Sequence, residues 1–492
     1  MIEYNSNKQI KIEEFSTPFE MKMDAENRWV KLSKAIPWDE LAMIYHRSLS
    51  QDKGAKAKDA RLVIGAIIIK YKLQLDDRGV IEMIREHPYM QYFCGLSSFT
   101  SEPIFDPSLF VTIRKRLGNE AFDQMNQEII GKALGIKRPS EKKRDKDDGS
   151  SDKPNKGKLQ IDATVADADI KFPTDVDLLN DSRVKSEEMI DELYSKLTLK
   201  QKPRTYRNQA RKKFLNFSKK KNRTKKEVRR AIKVQLGYLN RNIKTIDKLL
   251  DNFEGKAFPL DNKLQKYLFV IQHVYQQQLE MYKQSKHSCE DRIVSIHQPH
   301  VRPIVRGKSG KNVEFGAKID LNLQQGFARI NRFSWDAFNE GTDLIDCIKE
   351  YKRVNGCYPE LMQVDKIYLT KENRKFMKEN GIRHIGKPLG RPAKQEQQTA
   401  YQRRKKRKES AERNHVEGTF GTGKRKYRLD EILAKTARTA ESWIAAIIFV
   451  MNLTKMMSYF LLNFILMIFC SLFPFQVYKN NLPQNLLYPR LA

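Results

Sequence analysis

The stretch KLQIDATVADADI (158–170) decides the fold, because apolar and polar residues alternate along it in the manner of a half-buried β-strand. Its apolar positions are Leu159, Ile161, Ala163 and Val165. Asp162 lies between two of them and is therefore predicted to lie on the strand. The segment before it, residues 137–158, has almost no apolar content and is predicted to be a linker.

Residues 1–136, upstream of the linker, are predicted to form a helical domain. The segment FDPSLFVTIRKRLG (105–118) has a cap at Asp106, proline at the first helical position and a terminating glycine. Arg114 and Lys115 are predicted to lie on its polar face and to contact DNA, as in a helix-turn-helix reader. A helical bundle without DNA-binding function has the same pattern, so that alternative stays open.

Downstream of the strand, a helical insert is predicted over about 180–290. Lys and Arg make up about half of residues 202–230, and Glu227 is the single acid there. A solvated helix face normally mixes signs, so this pattern favours a surface that contacts a phosphate backbone.

After the insert the pattern returns to strands and helices. Strands are predicted at 312–323, 326–335, 360–368 and 382–385, with helices at 342–356 and 370–381. A last long helix is predicted to begin near Ser410 and to carry Glu417. The order is strand, helical insert, two strands, helix, strand, helix, strand, helix. This is a mixed α+β and α/β arrangement.

The charge balance of the chain indicates a polyanionic partner. The 492 residues include 92 Lys and Arg against 60 Asp and Glu, a net charge of +32. Neutralising DNA phosphates releases counterions and favours binding, although an acidic lipid surface is a competing partner. The five cysteines are scattered without a C-x-x-C pair, which excludes a zinc ribbon or disulfide framework and fits a reducing cytosol.

The C-terminal residues 456–492 are predicted to form a hydrophobic helix and tail. Residues 459–475 contain no charge and are slightly shorter than a membrane span. A buried helix is the favoured interpretation, and a membrane segment or an atypical tail are the alternatives. A membrane partner is therefore not expected.

Three acids on separate elements have the placement that phosphodiester chemistry needs. Asp162 lies in the first strand, Asp365 near the end of the fourth, and Glu417 on the helix after the fifth. Two hard cations held by carboxylates can activate one oxygen of a phosphodiester and stabilise the other. This is a ribonuclease-H-like arrangement. Neighbouring acids are rivals, namely Asp167, Asp169 and Asp175 for the first position and Asp320 or Asp343 for the second.

The sequence around these acids resembles that of bacterial insertion-sequence DDE transposases of the InsH-like branch. The strings 161–183, 362–383 and 412–430 resemble the family's three catalytic blocks. The third block has the signature Tyr, two residues, Arg, three residues, Glu, six residues, Lys. Arg413, Glu417 and Lys424 occur at these spacings, and Ser410 stands at the Tyr position. The resemblance spans roughly residues 20–455.

The resemblance implies a ribonuclease-H-like catalytic domain at 159–455, which the basic insert interrupts. It also implies that the protein acts on DNA in the bacterial cytoplasm, in association with the nucleoid. It implies that Asp162, Asp365 and Glu417 bind two Mg²⁺ ions, with Mn²⁺ as an alternative. It also implies recognition of terminal inverted repeats, strand cleavage, strand transfer to target DNA, and a synaptic homo-oligomer.

Cationic residues beside Glu417 are predicted to contact DNA. Arg413 and Lys424 share roughly one helix face with Glu417, although a solvent-facing salt bridge is the alternative for each. The run RRKKRK (403–408) adds Arg403, Arg404, Lys405 and Lys406, unless it is an ordinary linker. The alternative functions are a metal-dependent nuclease without strand transfer, an inactive DNA-binding descendant, and a basic membrane-associated protein.

Overall fold

A computed structural model describes residues 10–17, 22–49, 56–135, 154–253, 257–305, 313–385 and 399–472, with side chains to residue 460 in the last range. Most of the predicted linker 137–158 lies outside these ranges. So do the loop KPLGRP (387–392), whose sequence resembles the corresponding family segment, and the side chains of most of 459–475.

A mixed six-stranded sheet forms the centre of the described chain. Its strands are β1 (Lys158–Asp167), β2 (Arg302–Val305), β3 (Val313–Gln324), β4 (Phe327–Ser334), β5 (Leu361–Gln363) and β6 (Arg383–His384). The order is β2-β3-β1-β5-β6, and β4 also pairs with β3. β3 is antiparallel to β1, whereas β1, β5 and β6 run parallel. The prediction of a mixed α and β fold is confirmed, and the first strand carries Asp162 as expected.

β5 is much shorter than the predicted strand 360–368. After Gln363 the chain leaves the sheet and forms a 3-10 turn at Lys366–Tyr368. The side chain of Tyr368 is fully buried, and its hydroxyl donates to Asp320 Oδ1 at 2.7 Å. Burying this ring turns the backbone out of the strand direction, so the prediction of a continuous strand to Tyr368 was wrong.

In the described residues, seven α-helices precede the sheet. They are α1 (Arg28–Ala35), α2 (Trp38–Arg47), α3 (Ala60–Lys72), α4 (Asp77–Glu86), α5 (Pro88–Phe93), α6 (Leu109–Arg116) and α7 (Asn119–Leu134). Their apolar faces share one hydrophobic cluster with one face of the sheet and with the C-terminal helices. The helical nature of this region is as predicted, and its core continues into the rest of the chain.

Four helices form the insert between β1 and β2. They are α8 (Asp175–Ser195), α9 (Arg207–Ser218), α10 (Lys225–Leu250) and α11 (Asn262–Gln284). They enclose a hydrophobic cluster of their own, to which α11 contributes Leu268, Ile271 and Val274. A capping box between Thr224 and Glu227 starts α10 inside the basic run. The predicted helical insert is confirmed.

Five helices complete the described chain. They are α12 (Leu344–Asn355), α13 (Lys371–Glu379), α14 (Ala400–Glu412), α15 (Asn414–Tyr427) and α16 (Ala437–Leu472). α12 and α13 cover the sheet face opposite the large cluster. The prediction of one helix from near Ser410 was wrong, because a capping box between Thr399 and Gln402 starts α14 earlier. A new helix, α15, begins directly after Arg413.

Helix α16 is a core element in its described part. Residues 437–460 are long and apolar enough to cross a membrane, but most of that window is buried inside the protein. Trp443 is buried and packs edge-on against Tyr71 of α3, with ring centroids 5.5 Å apart. Core packing accounts for the apolar composition of this segment.

Candidate active site

The pairing of β1 with β5 places Asp162 and Asp365 at neighbouring positions. In the parallel register Gln160 lies beside Gln363. Asp162 follows Gln160 by two residues, and Asp365 follows Gln363 by two residues. The two acids therefore come at matching positions, directly after the end of β5.

Helix α15 lies over the same sheet face. Asp162 is directly opposite Leu321 of β3, so the two side chains project to one face. Leu321 belongs to the same buried cluster as Val416 and Phe420 of α15. Glu417 lies in the first turn of α15 and is exposed, at the edge of this packed face.

Acidic side chains from three separate segments act on Asp162. Its pKa is raised from the ordinary 3.8 to about 6, mainly by burial and also by the charges of Glu340, Asp365 and Glu417, while a hydrogen bond from the Ala163 amide opposes them. The bond from Ala163 N to Asp162 Oδ1 is 2.9 Å long. The charges of Asp365 and Glu417 thus act on Asp162 although the three residues are far apart in sequence.

Glu340 is an acid of this region that the sequence analysis did not identify. It lies in a 3-10 turn, Glu340–Thr342, and pairs with Lys318 Nζ at 2.8 Å. The turn packs against the 3-10 turn that follows Asp365, since a Cβ at Gly341 would come within 2.7 Å of the Ile367 carbonyl. No motif in the sequence marks this contact between two irregular segments.

A buried hydrogen-bond network fixes the turn that follows Asp365. The Asn373 amide donates to the carbonyls of Tyr368 and Gly341, each at 2.7 Å. Tyr368 in turn donates to Asp320. Burial raises the pKa of Asp320 to about 7, against the opposing hydrogen bonds from Tyr368 and Asn331. Asp320 projects to the opposite sheet face from Asp162 and holds this network, so it is not a rival for the second acid position.

Three of the other rival acids are held in ion pairs. Asp343 pairs with Arg332 at 2.8 Å, Asp169 with Lys435 at 2.7 Å, and Asp175 with Arg292 at 2.7 Å.

Arg413 lies against Asp365. Its Nη1 atom is 2.7 Å from Asp365 Oδ1, and both side chains are partly exposed. Lys424, further along α15, lies 3.9 Å from Glu314 Oε1. The salt bridges considered as alternatives for these two residues are therefore present in the structure. Neither pair is deeply buried, so a DNA phosphate can compete for both cations.

Two buried glutamines tie α14 to the sheet. Gln160 Nε2 donates to Gln363 Oε1 and to the Glu412 carbonyl, each at 2.7 Å. Gln363 Nε2 donates to the Glu409 carbonyl at 2.7 Å. The last turn of α14 is thereby fixed next to Asp365. The sequence shows both glutamines inside strands but gives no sign of this role.

Arg114 is placed differently from its prediction as a DNA contact. Its guanidinium donates to both carboxylate oxygens of Asp77, at 2.8 and 2.7 Å, and lies over the Trp443 ring. Only 8% of the residue is exposed. The prediction that Arg114 contacts DNA was wrong, because α6 packs the face that carries Arg114 against α4 and α16. Lys115, the next residue, is exposed.

The basic run 403–408 lies within α14. All six of its residues are exposed, and no residue of this helix is buried. The basic run therefore forms a helix that projects from the site. It is not the ordinary linker that was considered as the alternative.

Comparison with known families identifies the two halves of this arrangement. A family model described as "Transposase DDE domain" matches residues 362–454, which include Asp365 and Glu417. A second, "Transposase domain (DUF772)", matches residues 17–116, which span the N-terminal helices to α6. The chain is thus similar to insertion-sequence DDE transposases in these two regions.

A curated relative of this chain is the uncharacterized protein ORF8 in the nfe locus of Rhizobium meliloti. The two are 30% identical over 151 residues, which are 30% of this chain and 64% of the relative. The match thus spans just under two thirds of the relative's length. No solved structure matches the chain.

The donor chemistry of the candidate site fits a hard divalent cation. Asp162, Asp365 and Glu417 offer carboxylate oxygens, the ligands that Mg²⁺ prefers. In the described residues, no three His, Cys, Asp or Glu side chains stand close enough to hold a metal ion together. The ion pair of Arg413 with Asp365 accounts for part of this, because it turns one carboxylate oxygen towards the guanidinium.

Proposed function

We propose that this transposase cleaves and joins DNA with Asp162, Asp365 and Glu417 as its catalytic acids. The observation that carries the proposal is that the charges of Asp365 and Glu417 act on Asp162 at the end of the shortened β5. Arg413 offsets part of this negative charge, and a bound cation would offset more of it. Two Mg²⁺ ions, with Mn²⁺ as an alternative, would activate the attacking oxygen and stabilise the leaving oxygen when bound.

The sheet supports a ribonuclease-H-like catalytic core. A long antiparallel strand, β3, lies beside β1, and the short parallel strands β5 and β6 follow on its other side. The domain limits belong to the same proposal, with 1–136 as an N-terminal DNA-binding domain, 159–455 as the catalytic domain and 456–492 as the tail. The insert joins this core between β1 and β2.

The residues around the acids perform the remaining tasks. Arg413 holds the carboxylate of Asp365 in the free protein and lies within reach of a phosphate placed there. Lys424 and the exposed cations Arg403, Arg404, Lys405, Lys406 and Lys115 bind the DNA backbone. The DNA partners are the terminal inverted repeats of a mobile element and a target duplex. A homo-oligomer in the cytoplasm, associated with the nucleoid, would hold two ends.

Asp365→Asn tests the proposal directly. The substitution keeps the size of the side chain but removes a charged oxygen ligand. We expect Mg²⁺-dependent cleavage of a duplex that ends in the inverted repeat bordering the coding sequence to fall by at least about 10³-fold, by analogy with losing a key electrostatic group. End binding should change little, because the basic surfaces are untouched.

Asp336→Asn is the matched control, since Asp336 is an exposed aspartate that pairs with Arg302 and not with a residue of the site. Cleavage that persists in Asp365→Asn would refute the metal assignment. Adding a target duplex separates the alternatives, since a nuclease without strand transfer yields cut ends but no joined product. An inactive descendant yields neither.

A further inference from the structure

Two cations of the helical insert lie on aromatic rings instead of on carboxylates. The Arg241 guanidinium of α10 lies 4.9 Å from the ring centroid of Tyr206 and 4.9 Å from that of Tyr238. Lys213 Nζ of α9 lies 5.4 Å from the centroid of Tyr238. The Tyr238 ring is buried, so it fixes both cations to the body of the insert. We call these four residues the Tyr238 cluster.

The Tyr238 cluster is positively charged without compensation. Lys213 and Arg241 are both exposed, and within the part of the chain that the structure describes neither lies within ion-pair distance of a carboxylate. Beside the candidate site the pattern differs, because Arg413 there is paired with Asp365. An aromatic ring attracts a cation through its quadrupole and leaves the charge of that cation intact. The N–H groups of the two cations therefore remain available to an anion.

The backbone at Tyr206 is strained in this arrangement. Tyr206 has φ 54° and ψ 25°, in the left-handed region that residues with large side chains rarely adopt. Such a conformation costs about 1–3 kcal/mol and persists where the surrounding structure requires it. The residue is 42% exposed, so burial of its ring does little to offset that cost. Besides beginning α9, the strained residue positions the Arg241 guanidinium.

The surface beside the cluster is open to a large ligand. Gly237 is exposed and lies four residues before Arg241 on α10. A Cβ added at Gly237 would meet nothing within 4 Å outside its own helix turn. Lys and Arg also make up about half of residues 202–230, so a long polyanion would meet further cations on this insert. The proposed function assigns no task to these residues.

We propose that the Tyr238 cluster is a phosphate-binding site for duplex DNA, separate from the catalytic acids. Phosphate contacts position DNA without reading its sequence, so we expect binding here to be independent of base sequence. A duplex is favoured over a single strand, because the rings of the cluster lie against cations and unpaired bases need open ring faces on which to stack. Under the proposed function, on which this inference rests, the insert holds DNA that extends beyond the cleaved inverted repeat.

A carboxylate placed at Gly237 tests the site without removing either cation. Gly237→Glu puts an acid four residues before Arg241, the favourable spacing for an ion pair along a helix. Gly237→Gln is the matched control, with a side chain of the same size and no charge. Both variants replace an exposed glycine by a better helix former, and equal melting temperatures would show that the fold is retained.

A double variant keeps the inference testable if the first variant fails to fold. Lys213→Gln combined with Arg241→Gln removes the two cations of the cluster. Its control combines Lys196→Gln with Lys375→Gln, which removes two cations that each pair with a glutamate four residues away. The two double variants therefore lose the same formal charge from different surroundings.

The probe is a fluorescent duplex of unrelated sequence, titrated with the full chain in the absence of divalent ions. We expect Gly237→Glu to lower affinity for this duplex at least about fivefold, and Gly237→Gln to match wild type. The variant that lacks Lys213 and Arg241 should lose at least about tenfold in affinity. Its slope of log affinity against log salt should fall by about two, whereas its control should keep the wild-type slope.

The inference is overturned if Gly237→Glu and the variant that lacks Lys213 and Arg241 bind the duplex as their controls do. It is also overturned if these changes weaken binding to a single strand, or to phosphatidylglycerol vesicles, more than binding to the duplex. A wild-type chain that binds the duplex as expected but never cleaves an element end would contradict the proposed function and leave this site standing. Cleavage that requires Asp365, in a chain whose insert variants bind normally, would do the reverse.

Discussion

At the residue scale, the decisive feature is a carboxylate held where it is difficult to ionise. Asp162 lies on a central strand beside other acids, and its pKa is raised to about 6. Such strain is typical of functional sites, where residues are selected for chemistry at the expense of stability.

This predicts a stability change in Asp162→Asn. An acid whose folded pKa lies above its ordinary 3.8 favours the protonated form in the folded protein. Stability should therefore fall as pH rises from about 4 to about 6, and the loss should persist above that. We expect the variant to be more stable than wild type by about 1–2 kcal/mol at pH 8 without metal, after allowance for partial solvent access.

Denaturant unfolding at several pH values measures this difference. It should shrink towards zero below about pH 3, where the carboxyl is protonated in both states. Addition of Mg²⁺ should raise the stability of wild type more than that of the variant. An Asn variant less stable than wild type at pH 8 would contradict this account.

At the element scale, the attachment of α14 to the sheet depends on two hydrogen-bonding side chains. Gln363 is fully buried and donates to the Glu409 carbonyl. Gln363→Leu removes that bond and one of the two bonds that Gln160 donates, and it leaves the Glu409 carbonyl without this partner, at a cost of about 1–3 kcal/mol. We expect faster amide hydrogen exchange in residues 400–412 and weaker DNA cleavage.

Leu361→Met provides a control in the same strand, since it changes a buried side chain without a hydrogen bond. Unchanged exchange in α14 of the Gln363→Leu variant would show that the helix is held by other contacts.

The element scale also shows how far the sequence could take the prediction. Alternating apolar and polar residues identified β1 and β3, and capping residues identified α13. The order of these elements then gave the predicted positions of the three acids. The short β5 depends on burial of Tyr368 against Asp320, a residue 48 positions away, which no local pattern reports. The sequence pattern likewise places Arg114 on a polar helix face. In the structure Arg114 is buried, because it forms an ion pair with Asp77 and lies over the Trp443 ring. Glu340 reaches the site through contacts between two irregular turns.

At the scale of the whole molecule, α16 joins the N-terminal helices to the sheet. Trp443 lies under Lys70 of α3 at 4.4 Å and under Arg114 of α6 at 5.1 Å, measured from the cation to the ring centroid. Asp77 pairs with both cations. The predicted N-terminal DNA-binding domain thus shares its core with the helices that follow the catalytic acids.

Trp443→Ala should therefore destabilise both regions together. Truncating a buried aromatic side chain costs about 3–5 kcal/mol through lost burial and the cavity that remains. We expect hydrogen exchange to rise in α3 and α6 as well as in α15. Tyr401→Ala, at a residue with 74% of its surface exposed, is the control and should leave stability nearly unchanged. Increased exchange confined to α16 would show that the N-terminal helices fold independently.

The central claim is that Asp162, Asp365 and Glu417 meet around shared divalent ions. Replacing Mg²⁺ with Fe²⁺ and adding peroxide and ascorbate produces hydroxyl radicals that cut the polypeptide beside the bound ion. Mapping the cuts by mass spectrometry is the most direct test. The account predicts cuts near residues 162, 365 and 417 together, all suppressed by excess Mg²⁺ and lost in Asp365→Asn. Cuts near one of these acids alone, or at none, would contradict it.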